Sequence, residues 1–250
     1  MSAQTQISRC GHVMYSRGMV WVIMVLFLSL SAIAGAKDVE TWFEKGNTYY
    51  RTGDYDRAVE CYTRIIVIEQ ENDDAYYNRG IAHKGAGRYD EAVADLTISI
   101  DLYPDFATAY VCRGDAFRSL GRYDEAVDDF TIAIDLDPVY VRAFIERGGV
   151  HLLMGNAAGA LDDVNTALDM EPDSAEALEV RASIHREMGR LEDALADANA
   201  SIDAVPRAGI YYTRGLIYRE MGKGEEARAD FTYACEMGVT DACDALTEDD

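Results

Sequence analysis

Apolar and small residues recur along most of the chain at helical spacing, and the pattern repeats every 34 positions. In one unit, Tyr110, Gly114 and Phe117 follow each other at i, i+4 and i+7, which places them on one face of a helix. A mid-unit glycine such as Gly121 then permits the left-handed turn that ends this helix. A second helix follows and ends near a proline, which cannot continue a helix. Each unit is therefore predicted to be a helix-turn-helix pair.

Four series of residues mark the period. They are the prolines (Pro104, Pro138, Pro172, Pro206), the first-helix small residues (Gly46, Gly80, Gly114, Gly148, Ala182, Gly215), the mid-unit glycines (Gly53, Gly87, Gly121, Gly155, Gly189, Gly222) and the second-helix alanines (Ala58, Ala92, Ala126, Ala160, Ala194, Ala227). Counted from Val39, the predicted units are 39–72, 73–106, 107–140, 141–174, 175–207 and 208–241. The predicted fold class is all-α, an α-solenoid of six helix pairs, with a short capping helix and an acidic tail in 242–250.

The third unit resembles the tetratricopeptide repeat (TPR) family. The residues that carry the resemblance are Tyr110, Gly114, Phe117, Gly121, Tyr123, Ala126, Phe130, Ala133 and Pro138. The resemblance extends from Val39 to Asp241. It implies a right-handed superhelix of stacked helix pairs, with a concave groove lined by the first helix of each unit.

Residues 1–36 differ from the rest of the chain, because they contain no Asp or Glu and run almost wholly apolar from Gly18 to Ala36. With Arg9 and Arg17 ahead of the apolar run and small residues before Lys37, the segment is typical of a secretory signal. Its apolar part is also close to the roughly 20 residues that cross a bilayer, so an uncleaved membrane anchor over 18–36 is the alternative. In both cases the repeat domain, 37–241, is expected outside the cytoplasm, as a periplasmic, cell-surface or extracellular protein.

Composition narrows the function. The chain has 45 acidic and 23 basic side chains, a net charge of −22 and a hydrophobic fraction of 49%. This suits a packed protein and disfavours a nucleic-acid partner, whose phosphates require clustered Lys and Arg. We find no zinc-protease histidine pair, phosphate loop or nucleophile elbow, so no enzyme activity, cofactor or metal is predicted. His83, His151 and His185 share one position of the repeat and are predicted to be core residues of their own units.

An arginine series and an aspartate series keep a constant separation of 16 residues. The arginines are Arg79, Arg113, Arg147, Arg181 and Arg214, and the aspartates are Asp95, Asp129, Asp163, Asp197 and Asp230. Both series are missing from the first unit, which has Lys45 and Cys61 instead. Because a partly buried Arg without a carboxylate would be costly, this joint absence predicts a structural ladder of ion pairs.

Two cysteines flank a glycine near the end of the chain. Cys235 and Cys243, on either side of Gly238, resemble the cysteine-linked helix pairs of secreted, cysteine-rich relatives of Sel1-like repeats. This resemblance implies a disulfide between them. Cys61 and Cys112 lie in non-adjacent units and are predicted to stay free and buried.

The groove implied by the TPR resemblance supplies the candidate binding site. Its predicted residues are Phe43, Asn47, Tyr50, Tyr77, Ile81, Lys84, Val111, Arg118, Ile145, Arg186, Tyr212, Leu216 and Arg219. Four of them, Lys84, Arg118, Arg186 and Arg219, form a basic stripe that would either attract an acidic ligand or only satisfy carbonyl groups at helix ends.

The sequence thus predicts an exported, non-enzymatic scaffold that binds a protein or an extended peptide, acidic if the basic stripe is accessible. The alternative is a membrane-anchored factor that assembles or organises the cell envelope, acting through its convex face or by self-association. A membrane contact is expected only through the N-terminal segment.

Overall fold

The computed structural model describes residues 38–248, so the predicted leader lies outside the described residues. Over this range the chain forms thirteen helices and no strand. They are α1 (38–51), α2 (Tyr55–Ile68), α3 (Asp73–Gly85), α4 (Tyr89–Leu102), α5 (Ala107–Ser119), α6 (Tyr123–Leu136), α7 (Val141–Leu153), α8 (Ala157–Met170), α9 (Ala175–Glu187), α10 (Leu191–Ala204), α11 (Ala208–Glu220), α12 (Gly224–Glu236) and α13 (Thr240–Glu248). The predicted all-α architecture of helix-turn-helix repeats is confirmed.

The chain divides into two compact units. The first, Met1–Gln70, contains α1 and α2, which form the first repeat. The second, Glu71–Asp250, contains the other five repeats and α13.

The mid-unit glycine ends the first helix in the predicted way. Gly87 has a φ of +73°, and the corresponding glycine of every other repeat lies between +70° and +77°. Its amide donates to the carbonyl of Lys84, and the amide of Arg88 donates to the carbonyl of His83. These two bonds form a Schellman motif, which satisfies helix-end carbonyls and turns the chain into the second helix.

Second helices end two residues before each proline. For example, α4 ends at Leu102, and Tyr103 then leaves the helical conformation ahead of Pro104, with a φ of −135° and a ψ of 86°. Steric conflict with the proline ring disfavours the helical conformation for the residue before it, which explains why the helix ends there.

The two helices of a repeat pack most closely at the first-helix glycine. A Cβ atom on Gly114 would lie 2.7 Å from the ring of Phe130, and one on Gly148 would lie 2.8 Å from Val164. The fifth repeat replaces the glycine by Ala182, and the residue 16 positions later is Ala198. The departure from glycine is therefore matched by a smaller partner on the second helix.

In the second compact unit, each helix packs against the next along the chain. The first helices α3, α5, α7, α9 and α11 also contact each other in order, so they form a continuous row. Fully buried residues such as Phe130, Val150 and Val164 fill the space between first and second helices. Among the described helices, none has the length and apolar character needed to cross a membrane.

Candidate functional site

The row of first helices presents one face that we call the first-helix face. It is defined by two positions of the repeat, which hold Ile81, Asp115, Gly149, Ser183 and Leu216 at one and Lys84, Arg118, Leu152, Arg186 and Arg219 at the other. All of these residues lie in the second compact unit.

A cluster of five charged side chains lies on three neighbouring first helices; we call Lys84, Asp115, Arg118, Arg142 and Glu146 the central cluster. Lys84 Nζ and Arg142 Nη2 each donate to Asp115 Oδ2 at 2.7 Å. Arg118 Nη1 lies 2.9 Å from Glu146 Oε2, and Arg142 Nε lies 3.5 Å from Glu146 Oε1. The cluster therefore links α3, α5 and α7 through three cations and two carboxylates.

The carboxylates of the central cluster are buried beneath its cations. Asp115 is 5% exposed and Glu146 is 7% exposed, whereas the side chains of Arg118 and Arg142 are 37% and 44% exposed. Burial raises the pKa of Glu146 and the nearby Asp115 carboxylate raises it further, while Arg118 and Arg142 oppose the shift. The accessible part of the central cluster is consequently its arginine side chains.

Three of the four side chains in the predicted basic stripe are paired with carboxylates of the protein itself. Lys84 and Arg118 hold the central cluster together, and Arg186 Nη1 lies 3.1 Å from Glu220 Oε1. Arg219 lies over the Phe231 ring, 5.5 Å from its centroid. Carboxylates on neighbouring first helices, which the spacing of the stripe does not show, pair with Lys84, Arg118 and Arg186.

Two of the predicted apolar groove residues belong to the core, and the others are half-buried. Val111 is fully buried and Ile145 is 4% exposed, so neither is available as an anchor. Tyr77 packs on Phe106, with ring centroids 4.8 Å apart, and its hydroxyl lies 3.6 Å from the Cys112 thiol. Burial raises the pKa of that thiol.

Two predicted groove residues of the last repeat also pack against the core. Tyr212 and Leu216 pack against a core that includes Phe231 and Ala245. Ile81, like Tyr212 and Leu216, is half-buried.

The first compact unit contains the remaining predicted groove residues. Tyr62 donates from its hydroxyl to Asn47 Oδ1 at 2.7 Å, and the ring of Phe43 lies 6.2 Å from that of Tyr62. Tyr50 packs edge-on against Tyr55 at 5.6 Å. All three predicted residues make contacts that stabilise α1 against α2.

The five ladder arginines each bind the aspartate 16 residues later. In every pair Nε and Nη2 donate to the two carboxylate oxygens at 2.7–2.9 Å, which is the bidentate geometry of a strong ion pair. The aspartates are 3–8% exposed. The ladder thus clamps the first helix of each repeat to its own second helix.

A third nitrogen of the ladder arginines reaches the preceding repeat, which the sequence did not predict. Nη1 donates at 2.8–3.1 Å to a side-chain oxygen of Thr97, Thr131, Asn165 or Asn199, for Arg113, Arg147, Arg181 and Arg214 respectively. Each acceptor lies 15 or 16 residues before its arginine, on the previous second helix. Because this separation is nearly constant, the sequence could have revealed these contacts in the same way as it revealed the aspartate series.

The three histidines lie beside the ladder. His83, His151 and His185 place Nε2 3.7–3.9 Å from the aspartate of their own repeat. Burial lowers the pKa of His83, and its Nδ1 accepts a hydrogen bond from Arg88 Nε at 3.0 Å. Within residues 38–248, no group of three or more potential ligands is arranged to hold a metal ion.

Cys235 and Cys243 form a disulfide with their Cα atoms 4.9 Å apart. Gly238, with a φ of +97°, makes the turn between α12 and α13 that brings them together. Cys61 and Cys112 are free and buried.

Solved structures similar to this chain share its repeat fold. A chain of the APC/C hetero-tetramer Cut9-Hcn1 matches with a TM-score of 0.73 and 15% identity, over 80% of this chain and 40% of that one. PilF of Pseudomonas aeruginosa matches with a TM-score of 0.69 and 14% identity, over 86% and 99%. YrrB, described as a TPR protein with an unusual peptide-binding site, matches with a TM-score of 0.53 and 23% identity, over 76% and 100%. None of the curated proteins matches the chain significantly.

Family models give the assignment. A model described as tetratricopeptide repeat matches residues 77–141, 113–165 and 145–209, a TPR repeat model matches 46–87, and another tetratricopeptide repeat model matches 208–237. The repeats read from the spacing of glycine and proline, the helix pairs of the structure and these matches agree, and the chain belongs to the tetratricopeptide repeat family.

Proposed function

We propose that the chain is an exported, non-enzymatic TPR scaffold that binds a protein or extended peptide on its first-helix face. The observation that carries the proposal is the continuous row of first helices, which combines the half-buried Ile81 with the partly exposed side chains of Arg118 and Arg142. Such a surface offers apolar and charged contacts in sequence along one ligand. The peptide-binding site named for YrrB is consistent with this use of the fold.

We place the disulfide-linked α12–α13 pair at the end of this scaffold as a cap, in line with the Sel1-like resemblance. Ala245 is almost fully buried and packs with Phe231, so α13 covers apolar surface of the last repeat. Terminal repeats need a cover of this kind because no further repeat packs on them.

Substitution of Ile81 and Ser183 by arginine should abolish capture of the natural partner. Both residues are half-buried on the first-helix face, where a long charged side chain would block a ligand without entering the core. The measurement is quantitative mass spectrometry of proteins captured from the source organism by the tagged full chain. The matched control replaces Ile98 and Ile132, which are 39% and 38% exposed on second helices, by arginine.

Loss of the partner in the second-helix variant alone would support the alternative function, a factor that organises the cell envelope. Ile98, Leu102, Ile132, Leu136 and Met170 are 37–39% exposed along α4, α6 and α8, so the second helices also present apolar side chains. If the partner is lost with the second-helix pair and kept with the first-helix pair, the chain acts through this outer surface, as an organising factor would.

We also propose that the leader is cleaved and that the chain is exported. The expected mature N-terminus is Lys37, because small residues at 34–36 fit the requirement of signal peptidase. Mass spectrometry of the intact protein, purified after expression in the source organism, measures this directly. Recovery of the full mass in the membrane fraction would instead establish the anchor over 18–36.

A further inference from the structure

The turn between α7 and α8 differs from the mid-unit turns of the other five repeats. Residues 153–161, which we call the neutral turn, contain no charged side chain, whereas the corresponding residues of every other repeat include both basic and acidic ones. Leu153 is 58% exposed and Met154 is 45% exposed. At the position of Leu153 the other repeats have no large apolar residue; they have Arg51, Gly85, Ser119, Glu187 and Glu220.

Helix α8 begins without the charges that begin the other second helices. Each of those has one or two acidic residues in its first turn, where they complement the helix dipole, and α8 has none. Asn156 caps α8 instead, since its Oδ1 accepts a hydrogen bond from the Gly159 amide at 3.1 Å. A helix start that is stabilised without charge leaves the surface around Leu153 apolar.

The turns on either side of the neutral turn carry charges of both signs. Residues 118–125 and 186–193 contain four arginines and five acidic residues, and some of these charges pair with each other, as Arg122 does with Glu125 and Arg186 with Glu187. The proline loops 101–106, 135–140 and 169–174 contain seven acidic residues and no Lys or Arg. The mid-unit turns around Leu153 are therefore close to neutral on a chain of charge −22.

We propose that the neutral turn is the contact through which two copies of this chain associate about a two-fold axis. Two chains of charge −22 repel each other, so contact costs least where neither copy presents a charge. A two-fold contact also requires a patch that is complementary to itself. The neutral turn offers this, because the large side chains of Leu153 and Met154 lie beside the small residues 157–159, on which those of the second copy can pack. The paired charges of the neighbouring turns supply the polar rim of such an interface.

The size of the patch sets the strength of the association. Its exposed residues are Leu153, Met154 and Ala158, extended by Met188, which is 37% exposed and holds the position of Met154 in the next repeat. A contact of this size belongs with the small interfaces of weak, reversible complexes. The neutral turn lies outside the two repeat positions that define the first-helix face, so this inference does not depend on the proposed function.

The test variant gives the neutral turn the charges that other repeats have. Leu153→Glu combined with Ala158→Asp introduces the residues found at Glu187 and Asp90, so the helix pair should accept both changes. Leu153→Ser, as at Ser119, removes the apolar side chain without adding a charge. The combined variant therefore tests the whole contact, and Leu153→Ser tests its apolar part.

The matched control adds the same two negative charges on second helices. Ala94 and Ala196 are exposed and hold the repeat position of Asp128 and Asp162, so Ala94→Asp combined with Ala196→Asp is also compatible with the repeat. Both double variants have the same total charge. A difference between them is consequently due to the place of the charges.

The measurement is sedimentation velocity of the protein purified after expression in the source organism, over a roughly hundredfold range of concentration. The wild type should associate reversibly, and several-fold more tightly at about 0.5 M than at about 0.05 M NaCl, because salt screens the repulsion between the copies. The dissociation constant should rise about tenfold or more for Leu153→Glu with Ala158→Asp, and several-fold for Leu153→Ser. The control should match the wild type at high salt. Melting temperatures should stay within about 2 °C of the wild type for all variants.

Three results would overturn the proposal. A wild type that is monomeric at every concentration and salt would show that the neutral turn does not join two copies. Equal association of the wild type and the Leu153→Glu, Ala158→Asp variant would place the contact elsewhere on the chain. Association that weakens as salt is added would show that opposite charges, and not an uncharged patch, bring the copies together. None of these results bears on partner capture by the first-helix face, so failure here is distinct from failure of the proposed function.

Discussion

Replacing Arg113 with alanine is expected to lower the free energy of unfolding by about 3–5 kcal/mol at neutral pH. The carboxylate of Asp129 is 3% exposed, and Nε and Nη2 of this guanidinium donate to its two oxygens at 2.8 Å. Burial raises the pKa of Asp129 and Arg113 lowers it, so loss of the arginine leaves a buried charge without compensation. Urea unfolding followed by circular dichroism measures the effect.

The loss of stability in Arg113→Ala should become smaller as the pH falls. Without Arg113 the folded-state pKa of Asp129 rises further above its unfolded value, so the ionised carboxylate opposes folding at any pH above that pKa. The difference between variant and wild type should therefore shrink as the pH falls through it. Replacing both partners by apolar residues, as in Arg113→Met with Asp129→Leu, should restore most of the stability at neutral pH.

Arg113 also connects two repeats through Thr97, and loss of this contact should have a separate effect on unfolding. Thr97→Val removes the acceptor of Nη1 while the ion pair to Asp129 remains, and should cost about 1–2 kcal/mol. Because repeats are coupled only to their neighbours, the unfolding transition should also broaden.

A surface pair in the same repeat provides the control. Glu125→Ala removes the partner of Arg122, whose side chain is 43% exposed, and should change the free energy of unfolding far less than Arg113→Ala, because exposed ion pairs contribute little. An Arg113→Ala variant as stable as Glu125→Ala would show that the ladder contributes nothing beyond an exposed ion pair.

The sequence was informative where a contact repeats along the chain. Constant spacing of glycine and proline predicts every helix pair, because each series marks a backbone position that other residues take poorly. The spacing of 16 between Arg113 and Asp129 likewise predicts a pair, because both series occur in the same five units. Turn chemistry and ion pairing within one repeat are therefore readable without a structure.

The contacts of the central cluster were missed because only one repeat carries them. Asp115 meets Lys84, 31 residues earlier, and Arg142, 27 residues later, and neither separation occurs as a series. The same limitation affects burial, since Val111 and Ile145 were assigned to the ligand-facing floor but are covered by neighbouring helices. Helical periodicity gives the direction of a side chain and does not give what packs over it.

Replacing Gly114 with alanine should cost about 1–3 kcal/mol, although alanine favours helices. Its Cβ would lie 2.7 Å from the Phe130 ring, and Phe130 is fully buried between the two helices of the third repeat. The methyl group must push the helices apart or force the ring from its position. Urea unfolding of the variant measures the loss, and Gly149→Ala serves as the control because the same added methyl meets no atom within 4 Å there.

The fifth repeat indicates how the steric conflict between a methyl group at position 114 and the Phe130 ring can be relieved. Ala182 and Ala198, both fully buried, occupy the positions of Gly114 and Phe130, so a methyl group fits where the facing residue is small. Phe130→Ala alone should cost about 3–5 kcal/mol through the cavity that it leaves. The double variant with Gly114→Ala should be more stable than the sum of the two losses by about 1–2 kcal/mol, since the added methyl partly fills that space. Strict additivity in this cycle would mean that Gly114 is required for a reason other than the approach of Phe130.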